Sequence, residues 1–135
     1  MKQDSLNYFH DWVSTRLSFT NDLVLVVETM TEDEKVHSAI LTFAGYSKLE
    51  FKDYAETPLI ETENLEKIKK LSLDRWIQDS KEIDGGIEIQ FIGGNDFTDN
   101  PIGTLRFDYK SISVAINSEE CPTEDAIESA LSQIE

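Results

Sequence analysis

Three short runs late in the chain constrain the fold most. Ile87, Ile89 and Phe91 alternate with Glu88, Gln90 and Ile92. Leu105, Phe107 and Tyr109 alternate with Arg106, Asp108 and Lys110, and Ile112, Val114 and Ile116 with Ser113 and Ala115. A period of two belongs to strands with one face on a core and one toward water. The connections between the runs are brief, so they are expected to pair antiparallel. The alternation changes phase at Lys110-Ser111, which predicts a tight hairpin between the last two runs. Asp84-Gly85-Gly86 predicts the turn before the first run.

Upstream, Leu23 to Val27 is continuously apolar and β-branched, as in a strand covered on both faces. Thr31 to Lys35 is a polar turn, and Val36 to Phe43 its partner strand. Leu49 to Lys52 alternates as a half-exposed strand. Pro58 breaks regular pairing. Asn64 to Lys70 predicts a short helix, with Leu65 and Ile68 inward, and Leu71 to Asp79 a strand. At the N-terminus, Leu6, Phe9, Val13 and Leu17 recur at spacings of three and four, widened by Trp12. They predict a helix capped by Asp4 or Ser5. A last helix follows Pro122, with Thr123 as its cap, Glu124 and Asp125 at its positive end, and Ile127, Ala130, Leu131 and Ile134 inward. The expected fold is α+β. An antiparallel six- or seven-stranded curved sheet or sandwich-like β core carries N- and C-terminal helices packed against it, as a single domain over residues 1–135.

The formal net charge is −15, from 12 basic and 27 acidic side chains. From Ile112 to the end there are six acids and no base. Such a field repels nucleic acid and anionic membrane and attracts basic partners. The longest apolar run, Leu23 to Val27, is far shorter than a membrane-spanning helix. No signal-peptide pattern appears, and the single cysteine, Cys121, allows no intrachain disulfide. These features suit a reducing cytoplasm.

The segment Phe91 to Gly103 is the first candidate site. Its Gly93-Gly94 pair is followed by acids and then a strand, not by a lysine and a helix, so it does not cradle phosphate. Asn95, Asp96, Asp99 and Asn100 offer oxygen ligands, but not at the alternate spacing of a helix–loop–helix calcium site. A long hairpin connection with exposed acids and an exposed Phe97 accounts for the residues better. His10 and His37 lie on different elements, and His37 is expected to be a satisfied sheet residue. Cys121 precedes a helix, but Glu119 and Glu120 oppose thiolate formation. No Cys or His spacing fits zinc. Neither a cofactor nor a metal is expected.

Leu41-Thr42-Phe43-Ala44-Gly45-Tyr46, followed by Leu49 and Phe51, resembles a strand end found in a group of small bacterial proteins. Leu105-Arg106-Phe107-Asp108-Tyr109 with Ile112-Ser113-Val114 resembles their closing hairpin. These proteins are immunity proteins of polymorphic-toxin and contact-dependent-inhibition systems and their uncharacterised relatives. The similarity spans about Val36 to Ile116 and rests on apolar patterns, so it carries no functional residue across. It implies a non-enzymatic cytosolic protein that neutralises a basic toxin domain such as a nuclease. Asp79, Glu82, Asp84, Asp96, Phe97 and Asp99 are the expected partner-binding residues. Two alternatives stand beside it: a metal-assisted hydrolase using loop carboxylates, and an assembly subunit with an uncovered sheet edge.

Overall fold

A computed structural model describes residues 3–53, 60–92 and 103–134. The chain opens with a 3-10 segment, Gln3–Phe9. Strands β1 (Val13–Phe19), β2 (Asp22–Met30), β3 (Val36–Ala44), β4 (Ser47–Asp53) and β5 (Ile60–Thr62) follow. Helix α1 (Leu65–Ser72) leads into β6 (Trp76–Ile83) and β7 (Gly86–Ile92). Then come β8 (Gly103–Asp108), β9 (Ser111–Ile116), β10 (Glu119–Glu120) and helix α2 (Glu124–Ser132). The fold is α+β, and the ten antiparallel strands among the described residues lie in the order β10-β9-β3-β2-β1-β6-β7-β8-β4-β5. The expectation of six or seven strands undercounts, because the opening segment supplies β1 and the short edges add β5 and β10.

The N-terminal helix does not extend to Leu17. Leu6, Phe9 and Trp12 are spaced by three, the repeat of a 3-10 turn. All three are buried, and Phe9 meets Trp12 edge to face at 5.2 Å. Asp11 then takes φ 68, which ends the turn. Val13 and Leu17 sit on β1, paired to Glu28 and Leu25 of β2. The cap expected at Asp4 or Ser5 falls on side chains outside the described set.

The predicted strand over Leu71 to Asp79 is also corrected. Leu71 lies in the last turn of α1, whose N-cap Asn64 accepts the Lys67 N–H through Oδ1 at 3.1 Å. Asp74, at φ 59, turns the chain into β6. The Thr123 cap of α2 is as expected, its hydroxyl accepting the Ala126 N–H at 3.1 Å.

The Lys110-Ser111 hairpin is not formed. Strands β8 and β9 do not pair with each other. Both run alongside the continuous β3–β4 ribbon, with Ala44 opposite Ser111 and Ser47 opposite Asp108. Two-residue corners, Gly45-Tyr46 and Tyr109-Lys110, bend this ribbon together, and the Lys110 N–H donates to the Ala44 carbonyl at 2.8 Å. Gly45 has φ 66, and a Cβ there would lie 2.7 Å from Lys110 Cδ, so the corner admits little but glycine.

The bend divides the sheet into a first half, β10-β9-β3-β2-β1, and a second half, β6-β7-β8-β4-β5. At the seam the ladder holds one residue pair, Val13 with Trp76. Backbone bonds extend it: Asp11 to Ile77, Ile77 to Trp12, Ser14 to Arg75 and Asp74 to Ser14. Inward residues of both halves share one core containing Phe43, Phe51, Phe91, Phe107, Leu25 and Leu41. Ile68 of α1 and Ile127 of α2 are fully buried against it. Among the described residues no helix is long and apolar enough to cross a membrane.

Candidate binding surface

The two halves present opposite chemistry on their outer faces. On the second half, one registered row crosses four strands: Lys81 on β6, Glu88 on β7, Arg106 on β8 and Glu50 on β4. Charges alternate along it. Lys81 Nζ lies 3.0 Å from Glu88, and Arg106 Nε is 3.5 Å from the same carboxylate, an ion contact without hydrogen-bond geometry at Nε. Lys52 bridges Glu50 at 3.8 Å and Glu61 at 3.6 Å. This face is electrostatically compensated by its own residues.

Glu88 is the centre of that row and its side chain is only 12% exposed. Burial alone raises its pKa. Hydrogen bonds from Lys81 and Gln90, with the charges of Lys81 and Arg106, outweigh burial and bring it below the usual carboxylate value. A carboxylate more acidic when folded helps folding above the ordinary carboxylate range, and that help is lost as pH falls through its lowered value. Glu88→Gln is therefore expected to cost about 1 kcal/mol at neutral pH, a difference that fades in acid. Urea titrations of both proteins at pH 7 and pH 3 check this, and an equal gap at both pH values contradicts it.

The first half carries a matching row of different character. Arg16 on β1, Val26 on β2, Ile40 on β3, Ala115 on β9 and Glu120 on β10 are successive cross-strand neighbours. Val24 and Thr42 lie beside them. Ile40 is 37% exposed, and Val24, Val26 and Ala115 are half-buried. The continuous run Leu23 to Val27 is thus covered on one face only: Leu23, Leu25 and Val27 are buried, and Val24 and Val26 look outward. Met30 and Val36, strongly exposed, lie at the end of the β2–β3 pair, separated from Val26 and Ile40 by the polar pair Glu28 and Ser38. A groove of about 330 Å³ lies where the row meets β10, lined by Ile40, Thr42, Ser113, Glu120, Cys121 and Pro122.

The β10 edge is set by the sequence. Asn117 and Ser118 both take positive φ, 50 and 71, the paired left-handed conformation of a two-residue hairpin loop. Glu119 and Glu120 are exposed on the returning strand, and Pro122 and Thr123 start α2 with Glu124 and Asp125. None of these four carboxylates has an ion-pair partner among the described residues. Glu128 accepts a hydrogen bond from the Tyr8 hydroxyl at 2.8 Å.

The residues expected at the interface are distributed differently. Asp79 is exposed on β6, with Oδ1 accepting the Ser80 N–H at 2.8 Å. Glu82 and Asp84 are exposed toward the β6–β7 turn. At about 3.3 Å per residue, Asp79 and Asp84 are roughly 16 Å apart along the strand. Burial and then the charge of Glu82 raise the pKa of Tyr109. Asp96, Phe97 and Asp99 lie outside the described residues, as does the connection 93–102; the flanking β7 and β8 pair antiparallel as a hairpin requires. Among the described residues no three His, Cys, Asp or Glu side chains are grouped to hold a metal ion. His37 Nδ1 lies 2.9 Å from the Asn117 amide, and His10 Nδ1 lies 2.7 Å from the Gln78 carbonyl. Cys121 is buried, its thiol directed at the Glu119 carbonyl at 3.6 Å. The described sheet ends in strands of two and three residues, short edges of the kind that limit strand addition.

The sequence reading missed the Val24, Val26, Ile40 and Ala115 face. Its signal is present in apolar residues standing at both phases of the alternation, as in Leu23 to Val27, a run that reads equally as a strand covered on both faces.

The molecule is thus an α+β protein whose bent antiparallel sheet has one charge-compensated and one apolar outer face. No family model, curated protein or solved structure matches the chain.

Proposed function

We propose that this protein is an acidic binding protein of the immunity type, which neutralises a basic toxin domain by occluding it and performs no reaction of its own. The observation that carries this reading is the set of uncompensated carboxylates Glu119, Glu120, Glu124 and Asp125, on a chain of net charge −15. On the second half the row Lys81, Glu88, Arg106 and Glu50 pairs its charges internally. Around β10 and the start of α2 no cation of the described residues lies within ion-pair distance, so a basic partner can supply the countercharge. Fixed negative charge on a rigid strand and helix start speeds encounter with a cationic surface and disfavours anionic ones.

The test is co-expression with a basic toxin domain sought in the genes adjoining this one. Growth is expected to recover, and a one-to-one complex should elute on size exclusion. The association rate should fall about tenfold on moving from low to high salt. Continued toxicity with no complex refutes the reading. A complex whose association rate ignores salt refutes its electrostatic part.

A further inference from the structure

We infer that the partner docks on the outer face of β1, β2, β3 and β9, and that it does so with a protein segment whose apolar side chain is flanked by lysine or arginine. The inference rests on the binding reading above and specifies where and how contact is made.

The comparison of the two outer rows decides the location. Both run across registered strands of the same sheet. The row Lys81, Glu88, Arg106 and Glu50 satisfies its own charges, so a partner there would have to break existing ion pairs. The row Arg16, Val26, Ile40, Ala115 and Glu120 holds nothing that a partner must displace except water. Burying apolar side chains that are already half-covered favours association and removes little side-chain freedom. Interfaces commonly join an apolar centre to a polar rim, with most of the energy from a few central anchors. Ile40 occupies the centre here, and Glu120, registered with Ala115, forms one rim.

Charge complementarity and groove size set the occupant. The groove of about 330 Å³ opens between Ile40 and the Cys121-Pro122 corner, with Glu120 at its lip. That volume is at the low end for ligand pockets and accommodates one large side chain. A cation next to that side chain meets Glu120, and the carboxylates of Glu119, on the opposite face of β10, and of Glu124 and Asp125 add to the field. An acidic segment meets the same carboxylates with no cation on that rim to offset them.

The test uses the full chain, labelled with nitrogen-15 and titrated with the peptide acetyl-Lys-Trp-Lys-Lys-amide. Amide shifts are expected to centre on Val26, Ile40, Ala115, Glu120 and Cys121. Exchanging the tryptophan for serine, or the lysines for glutamates, is expected to weaken binding at least several-fold. Ile40→Glu and Glu120→Lys should each weaken it by about tenfold. Both positions are exposed, and Ile40→Ser with a matching thermal midpoint separates lost binding from lost folding. Neutralising Asp79, Glu82 and Asp84 together should leave the affinity unchanged. Shifts centred on Asp79 to Asp84, or Ile40 and Glu120 variants that bind like the wild type, overturn the docking face while the broader binding reading stands on the co-expression result. No shift at millimolar peptide also overturns the docking inference.

Discussion

Replacing Asp53 with alanine is expected to destabilise the protein by about 3–5 kcal/mol, because it strands a charge that is almost fully buried. Asp53 closes β4, and Arg75 lies between α1 and β6. Their side chains are 4% and 9% exposed, with Nη2 to Oδ2 at 2.9 Å. The guanidinium carbon sits 5.7 Å from the centroid of the Phe51 ring. Among the described residues its Nη1 is buried without a hydrogen-bond partner, so the pair already bears part of the cost of desolvation. The space for Nη1 exists because residue 103 is glycine: a Cβ there would lie 2.6 Å away. The backbone beside Arg75 is fixed by Ser14, whose hydroxyl accepts the Arg75 N–H at 3.3 Å and whose N–H donates to the Arg75 carbonyl at 2.8 Å. The pair therefore links β4 of the second half to β1 of the first across the seam. The double variant Asp53→Leu, Arg75→Met removes both charges and should lose less than Asp53→Ala alone. Urea unfolding of the set checks this. An Asp53→Ala midpoint equal to that of the wild type shows that the guanidinium finds solvent and that the seam does not depend on the pair.

Much of the fold was legible because it is local. Period-two alternation located β4, β7, β8 and β9, and the Asn64 and Thr123 caps mark helix starts where the backbone confirms them. What escaped was long-range. A change of phase at Lys110-Ser111 arises equally from a hairpin and from a strand that passes around a corner into the other half. Only the pairing of Ala44 with Ser111 and Ser47 with Asp108 separates the two. At the N-terminus, spacings of three and four fit an α-helix, but Asp11 turns left-handed and the pattern splits into a 3-10 turn and a strand. The candidate surface divides in the same way. Total charge is visible in composition, whereas its compensation is not: Lys81, Glu88, Arg106 and Glu50 become neighbours only through register across four strands. Glu119 and Glu120 stand out once those pairs are known.

The same corner accounts for the other large effect expected, that of Phe43→Ala. Phe43 is fully buried one residue before the Ala44-Gly45 bend. Its ring meets Phe107 edge to face at 4.8 Å and Tyr109 at 5.3 Å, so one side chain of β3 touches both the end of β8 and the corner that leads into β9. Truncation removes the transfer free energy of a large ring and leaves a cavity that three rigid strands cannot close. The expected cost is about 3–5 kcal/mol, against a total stability that for most domains is about 5–15 kcal/mol. Val36→Ala, on the exposed outer surface, should change stability by less than about 0.5 kcal/mol. Phe107→Ala empties part of the same space, so the Phe43, Phe107 double variant should cost less than the sum of the single losses. Denaturant unfolding of the four proteins measures the coupling. Strictly additive losses would mean that the two halves keep separate cores at the corner, and that the bent ribbon does not hold them together through these rings.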